Sequence, residues 1–166
     1  MNRSRQRGFT LVELVVVIIV LGVLAAFAVP RFMGIDTQAR IASVNALAGT
    51  LRSTAAMAHS VYMARGNPPN PVTIDGQSVT FTNGYPNAAG IALLLSPGTV
   101  TTNNLGGAFT STVGGTTNTF TLNGAATPAN CAATYTAAAA AGASPTIATV
   151  PVGLGGGGGT QVTGGC

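Results

Sequence analysis

Gly8-Phe9-Thr10-Leu11-Val12-Glu13, continued from Leu14 to Pro30 as LVVVIIVLGVLAAFAVP, is the stretch that decides the fold. Arg3, Arg5 and Arg7 precede it, and between Phe9 and Val29 the only charge is Glu13. At ~1.5 Å per helical residue the run is roughly 30 Å long, about one bilayer hydrocarbon core. The leading arginines fit retention of the extreme N-terminus on the cytoplasmic side. A secretory signal cut after Ala26 or Ala28 is the rival reading. Against it, the apolar run exceeds the usual signal core, contains a carboxylate, and has its glycine at the junction of basic head and apolar body.

A carboxylate inside a membrane span is costly and usually has a partner. Glu13 either lies at the interface, hydrated, or is neutralised by a cation. Cleavage after Gly8 would create one, the amine of Phe9. Within one helix that pairing has poor geometry, because the amides of the first turn already attract the carboxylate. Between two neighbouring helices staggered along an axis it is natural, and it would set an axial register as a buried polar residue does in coiled coils.

The run Gly8-Phe9-Thr10-Leu11-Val12-Glu13, after a short basic leader and before a long apolar helix, resembles a type IV prepilin signal. The resemblance implies that a membrane-embedded prepilin peptidase cuts between Gly8 and Phe9 and methylates the new Phe9 amine. It implies that Glu13 recruits and registers each incoming subunit. It also implies that Gly22 and Pro30 mark the stretch where the helix loosens inside an assembled filament. Glycine and proline are in any case weak helix residues, costing about 1 and 3 kcal/mol. Pro30 also reads as a simple kink where the helix leaves the membrane.

The chain has 166 residues, with 6% charged and all seven basic residues arginine. Its formal charge of +4 mostly reports the leader. Once Met1 to Gly8 is removed, Arg31, Arg40, Arg52 and Arg65 face Glu13, Asp36 and Asp75, so a nucleic-acid partner, which needs a basic face, is not expected.

Beyond Pro30 the pattern becomes amphipathic. Phe32, Ile35, Ala39, Ala42, Leu47, Leu51, Ala55, Ala58 and Tyr62 recur at helical steps, with Arg31, Asp36, Arg40, Asn45, Arg52 and Ser53 opposite. No strong stop occurs before Arg65-Gly66-Asn67-Pro68-Pro69. The spacing predicts one helix from about Phe9 to Arg65, bent at Pro30 and roughly 85 Å long. Its first half is too long for a head of this size to bury, so lipid or sister helices must cover it. A lone His59 reads as a packing or surface residue.

Residues 66–166 are expected to form a β head. Val72 to Phe81 reads as two strands about an Asp75-Gly76 turn, and Asn83-Gly84-Tyr85-Pro86 as a second turn. Asn87 is placed to cap a short helix, Ala88 to Leu95, stopped by Ser96-Pro97-Gly98. Ala108 to Val113 and Asn118 to Leu122 read as an antiparallel pair across Gly114-Gly115. Cys131 to Thr136 and Thr146 to Val150 are further strands, the last at an edge between Pro145 and Pro151. Ala137 to Ala141 reads as a connection. The glycine run Gly155 to Gly159 has no phosphate-binding lysine or following helix and is not a P-loop.

Cys131 and Cys166 have one sensible pairing in a translocated head. Such a bond would be worth roughly 4 kcal/mol on chain-entropy grounds and would hold a tail whose clear apolar residues are Leu154 and Val162. Two free buried thiols would require a reducing compartment.

The head adds to the resemblance. A long N-terminal helix, an antiparallel sheet and a C-terminal disulfide-bounded loop are similar to the pilin layout. Pro30-Arg31-Phe32, Ala39-Arg40, Asn83-Gly84-Tyr85-Pro86, Cys131 with Thr134-Tyr135-Thr136, Pro145-Thr146-Ile147 and Cys166 resemble the mannose-sensitive haemagglutinin subgroup. The expected fold is therefore α+β: a long helix whose second half packs on a small antiparallel head. The expected segments are a leader (1–8), a membrane and filament-core helix (9–30), its amphipathic half (31–65) and a head (66–166). The expected role is a pilus subunit for adhesion or motility. Its partners would be copies of itself, the prepilin peptidase, inner-membrane assembly machinery and, before assembly, lipid. The expected location is the bacterial inner membrane and then the extracellular filament.

Two other classes are weighed. An enzyme finds no support, since the head offers Asp75 as its one carboxylate and no acid–base pair, metal cluster or activated nucleophile; no cofactor is expected. A type II secretion pseudopilin shares the signal, but the major ones resemble pilins while binding calcium through carboxylates near the C-terminus, which this head lacks. A minor pilin would share every motif.

Overall fold

In the computed structural model, residues 9–32, 35–95, 103–150 and 166 are described. The chain divides into two units, Met1–Gln38 and Ala39–Cys166. Two helices occupy the N-terminal part: α1, Leu11–Phe32, and α2, Ile35–Ala64. The expected single helix is thus seen as two segments, and the join at residues 33–34 lies outside the described residues. Helix α1 runs without interruption through Gly22 and Pro30.

The head follows the order β1 (Val72–Ile74), β2 (Gln77–Val79), β3 (Phe81–Thr82), β4 (Tyr85–Pro86), α3 (Ala88–Leu95), then β5 (Asn103–Leu105), β6 (Phe109–Gly114), β7 (Thr117–Leu122), β8 (Ala132–Thr136) and β9 (Thr146–Val150). A 3₁₀ turn, Pro128–Asn130, precedes β8. β1–β2 and β3–β4 are separate hairpins, and β5 to β9 form one antiparallel sheet in chain order. The first hairpin turns on Asp75 (φ 48°) and Gly76 (φ 74°), the second on Asn83 (φ 54°) and Gly84 (φ 85°). Two successive left-handed residues make the turn whose twist matches the strands, and Asp-Gly and Asn-Gly are the sequences that allow it. Asn87 caps α3, its Oδ1 accepting from the Gly90 amide at 2.6 Å. The expected Ser96-Pro97-Gly98 stop lies outside the described residues, as does the tail carrying Leu154, Val162 and the glycine run.

The face that α2 buries is Val44, Leu47, Ala48, Leu51, Ala55 and Ala58. It joins Ile91, Ala92, Phe109, Phe120, Ala133, Tyr135 and Cys131 in one core. The second half of the helix is therefore packed on the sheet, an α+β arrangement. The sequence-based face is corrected at its start. Ile35, Ala39 and Ala42 are exposed, and Val44 and Ala48 take the inward positions. A second cluster sets Ala58 on Val72, Val79 and Phe81, with Tyr62 stacked on Phe81 at 4.7 Å. Between α3 and the first hairpin the approach is too close for a side chain: a Cβ on Gly90 would meet the Thr80 carbonyl oxygen at 2.9 Å.

Strand β5 was not expected from Asn103-Asn104-Leu105. It pairs with Phe109–Ser111 of β6, so its conformation comes from that partner rather than from local preference. β9 is the edge strand as expected, and residues 137–141 contain neither helix nor strand.

Candidate functional site

Helix α1 begins with a reciprocal cap. The Thr10 amide donates to Glu13 Oε2 at 3.0 Å, and the Thr10 hydroxyl donates to the same oxygen at 2.9 Å. In return the Glu13 amide donates to Thr10 Oγ1 at 3.3 Å. Two of the helix's orphan amide groups are satisfied this way, and the carboxylate sits where the peptide dipoles favour negative charge. All three bonds leave Glu13 Oε1 unengaged. Thr10 escapes a reading based on hydropathy and charge, yet Thr-x-x-Glu ahead of an apolar run is the signature of this cap.

Below the cap α1 has no covered face. Fourteen large apolar side chains from Phe9 to Phe27 are exposed, from 39% at Val15 to 89% at Phe9. Residues Leu11–Ala28 have a mean hydropathy of 3.0, and none is buried. Fully burying one such side chain is worth about 1.5–3 kcal/mol, so covering this surface releases tens of kcal/mol. Gly22 lies in this uncovered helix with open space where a Cβ would stand.

The head is held by polar contacts as well as by its core. Asn118 is fully buried; it accepts from the Ser111 hydroxyl at 2.8 Å and donates to the Ala88 carbonyl at 2.8 Å. Opposite it in the ladder stands Tyr135, also fully buried, whose hydroxyl donates to the Pro86 carbonyl at 2.7 Å. Burial, and secondarily neighbouring Tyr85, push the Tyr135 phenol above its ordinary range, so it stays a donor. These two strand residues fasten β4 and the start of α3 to the sheet. His59 stacks on Tyr85 with ring centroids 4.1 Å apart, and its Nδ1–H donates to the Gly84 carbonyl at 2.7 Å. It is a packing residue.

Three arginines of the helix reach backbone carbonyls: Arg40 that of Gly124, Arg52 that of Ile147 at 3.4 Å, and Arg65 that of Thr73 at 2.8 Å. Cys131 and Cys166 are bonded, with Cα atoms 5.1 Å apart, and both lie in the main core. The site residues thus fall in two places. Phe9, Glu13, Gly22 and Pro30 lie along α1, the cysteines lie in the head, and Gly8 lies outside the described residues. Among the described residues no three histidine, cysteine or acidic side chains gather as a metal site.

Residues 3–29 match the family described as the prokaryotic N-terminal methylation motif. Over 64 residues the chain is 47% identical to the type IV narrow pilus major component PilA5 of Thermus thermophilus, covering 39% of this chain and 53% of that protein. Over 52 residues it is 51% identical to the type II secretion system core protein G of Klebsiella pneumoniae, covering 29% and 37%. Over 51 residues it is 35% identical to the type IV major fimbrial protein FimA of Dichelobacter nodosus, covering 31% and 33%. The matched segments span about half or less of these relatives. No solved structure matches. Signal, fold and relatives together define a type IV pilin-like protein.

Proposed function

We propose that the chain is a structural subunit of a type IV pilus, of the kind represented by the mannose-sensitive haemagglutinin subgroup. The observation that carries this reading is the uncovered apolar face of α1, headed by a methylation motif. In the precursor, lipid covers residues 9–30 while the leader stays in the cytoplasm. Prepilin peptidase removes residues 1–8 at Gly8 and methylates the Phe9 amine. Assembly machinery in the inner membrane then draws the subunit out, and sister helices replace lipid around α1.

Glu13 contributes register. Its Oε1 is left over from the cap, and a neighbour's Phe9 amine is the cation of matching charge. Gly22 and Pro30 are the weakest helix residues of the span, and α1 loosens between them when it is packed among sister helices. Residues 31–65 serve as the spine of the head, and residues 66–166 form the outer surface.

The test is Glu13→Ala in the producing cell. Membrane insertion and cleavage should persist while surface filaments are lost; a normal filament yield would overturn the register role. Intact mass spectrometry of sheared filaments tests the whole reading. The expected species starts at methylated Phe9 and gains two hydrogens on reduction.

The likeness to a type II secretion core protein favours a second reading, a subunit of a short envelope filament. In that case the cleaved chain stays in the envelope and is missing from sheared material.

A further inference from the structure

A cleft of about 290 Å³ opens on the head, away from every residue used above for assembly. Its walls are the β3–β4 turn, the start of α3, the β6–β7 turn and the end of β8. Thr82, Asn83, Asn87, Thr116 and Thr136 bring polar side chains to it, and Ala137 and Ala138 bring buried methyl groups. No charged side chain lines it.

Each wall is fixed by a hydrogen bond to another part of the head. Asn83 Nδ2 donates to the Ala138 carbonyl at 2.8 Å, tying the β3–β4 turn to the strand end. The Ala137 amide donates to the Thr116 carbonyl at 2.9 Å, tying in the β6–β7 turn. From beneath, Asn118 holds the Ala88 carbonyl and Tyr135 holds that of Pro86. The cleft is thus preorganised by a supporting shell, as binding sites are.

What those bonds leave over defines a ligand. The hydroxyls of Thr82, Thr116 and Thr136, Asn83 Oδ1 and Asn87 Nδ2 make no hydrogen bond among the described residues. Donors and acceptors are mixed and neutral, so an anion or cation finds no counter-charge. Strand β8 is paired on both sides, by β7 and β9, and offers no free ladder to a peptide. The volume is at the lower end of the ~300–1,000 Å³ range of small-molecule sites. A ring that carries hydroxyls on its rim and C–H groups on its faces meets all of these conditions. We propose that this cleft binds a single neutral sugar residue, its hydroxyls on the three threonines and two asparagines and one C–H face on the alanine methyls.

The inference does not depend on the filament reading, because it is tested on unassembled subunits. Full-length chain in an amine-oxide detergent, which carries no sugar headgroup, is titrated with a panel of methyl hexopyranosides and a hexose 6-phosphate. Ligand-observed NMR reads the binding. At least one neutral glycoside should bind saturably at one site. Thr136→Val and Thr116→Val, each removing one hydroxyl at nearly constant volume, should weaken it about fivefold or more. Thr149→Val on β9 should leave it unchanged. Thr116 is exposed on a turn, so that variant remains informative if Thr136→Val disturbs the sheet. The proposal is overturned if no glycoside of the panel binds saturably, if both valine variants bind as the parent does, or if the phosphate ester binds more tightly than its neutral parent.

Discussion

Leu14 in α1 and Leu51 in α2 are the same side chain in the same secondary structure, yet one is 62% exposed and the other fully buried. Around Leu51 the helix meets the sheet, and its remaining polar positions send arginines to head carbonyls. Around Leu14 no residue of the first unit turns inward, and the one polar pair, Thr10 and Glu13, is engaged with itself at the helix tip. Apolar character alone therefore does not make a core; a core needs a second surface supplied by the same chain. The head supplies one and closes its polar accounts internally. Helix α1 presents a surface that only another molecule can cover.

The sharpest way to break this contrast is at the disulfide. Cys166→Ala should destabilise the head by about 4 kcal/mol on loop-closure grounds while leaving α1 unaffected, read by limited proteolysis in detergent. Protease sensitivity equal to that of the parent would remove the bond from the list of head-stabilising contacts. Next is the leucine pair itself. Leu51→Ala should cost the head about 3 kcal/mol, as large-to-small core changes do, and Leu14→Ala should cost it nothing by chemical denaturation. Equal effects would mean that the two helices share one core.

Tyr135→Phe is a smaller perturbation. It leaves the buried Pro86 carbonyl without its donor, at about 1–3 kcal/mol. The same residue gives the head an alkaline limit. Burial favours the neutral phenol, so its stabilising effect is complete below the unfolded tyrosine value of about 10 and is lost as pH rises above it. Denaturation between neutral and strongly alkaline pH should show that slope, and Tyr135→Phe should flatten it. The smallest effect is at the cap. Thr10→Val should cost α1 about 1 kcal/mol, seen as faster amide exchange in the first turn, with Thr10→Ser near the parent.

Much of the head was legible because its turns carry their own chemistry. Asp75-Gly76, Asn83-Gly84 and the Asn87 cap each specify a backbone shape without reference to distant residues. The face of α2 was less legible because alanine stands on both sides of it. Ala42 and Ala48 look alike in a hydropathy pattern, and only the position of the sheet decides between them. Strand β5 was invisible for the same reason, its shape being lent by β6. Asn118 is a subtler case. Alternation places it on the same face as Phe120 and Leu122, so its burial could be read, but its partners at Ser111 and Ala88 come from tertiary structure. In the candidate site, charge and hydropathy pointed to Glu13, whereas Thr10 required attention to the backbone amides that a helix leaves open.

The three tyrosines have a practical consequence. The chain contains no tryptophan, and Tyr62, Tyr85 and Tyr135 all belong to the second unit. Each has a different environment: a ring stacked on Phe81, a ring stacked on His59, and a buried phenol bonded to a carbonyl. Near-ultraviolet circular dichroism and intrinsic tyrosine emission of this protein are therefore optical signals of the head, recorded without labels. A preparation in which α1 has left lipid, entered a micelle or joined other helices will keep the same tyrosine spectrum as long as the head is folded. Loss of that spectrum marks failure of the head itself.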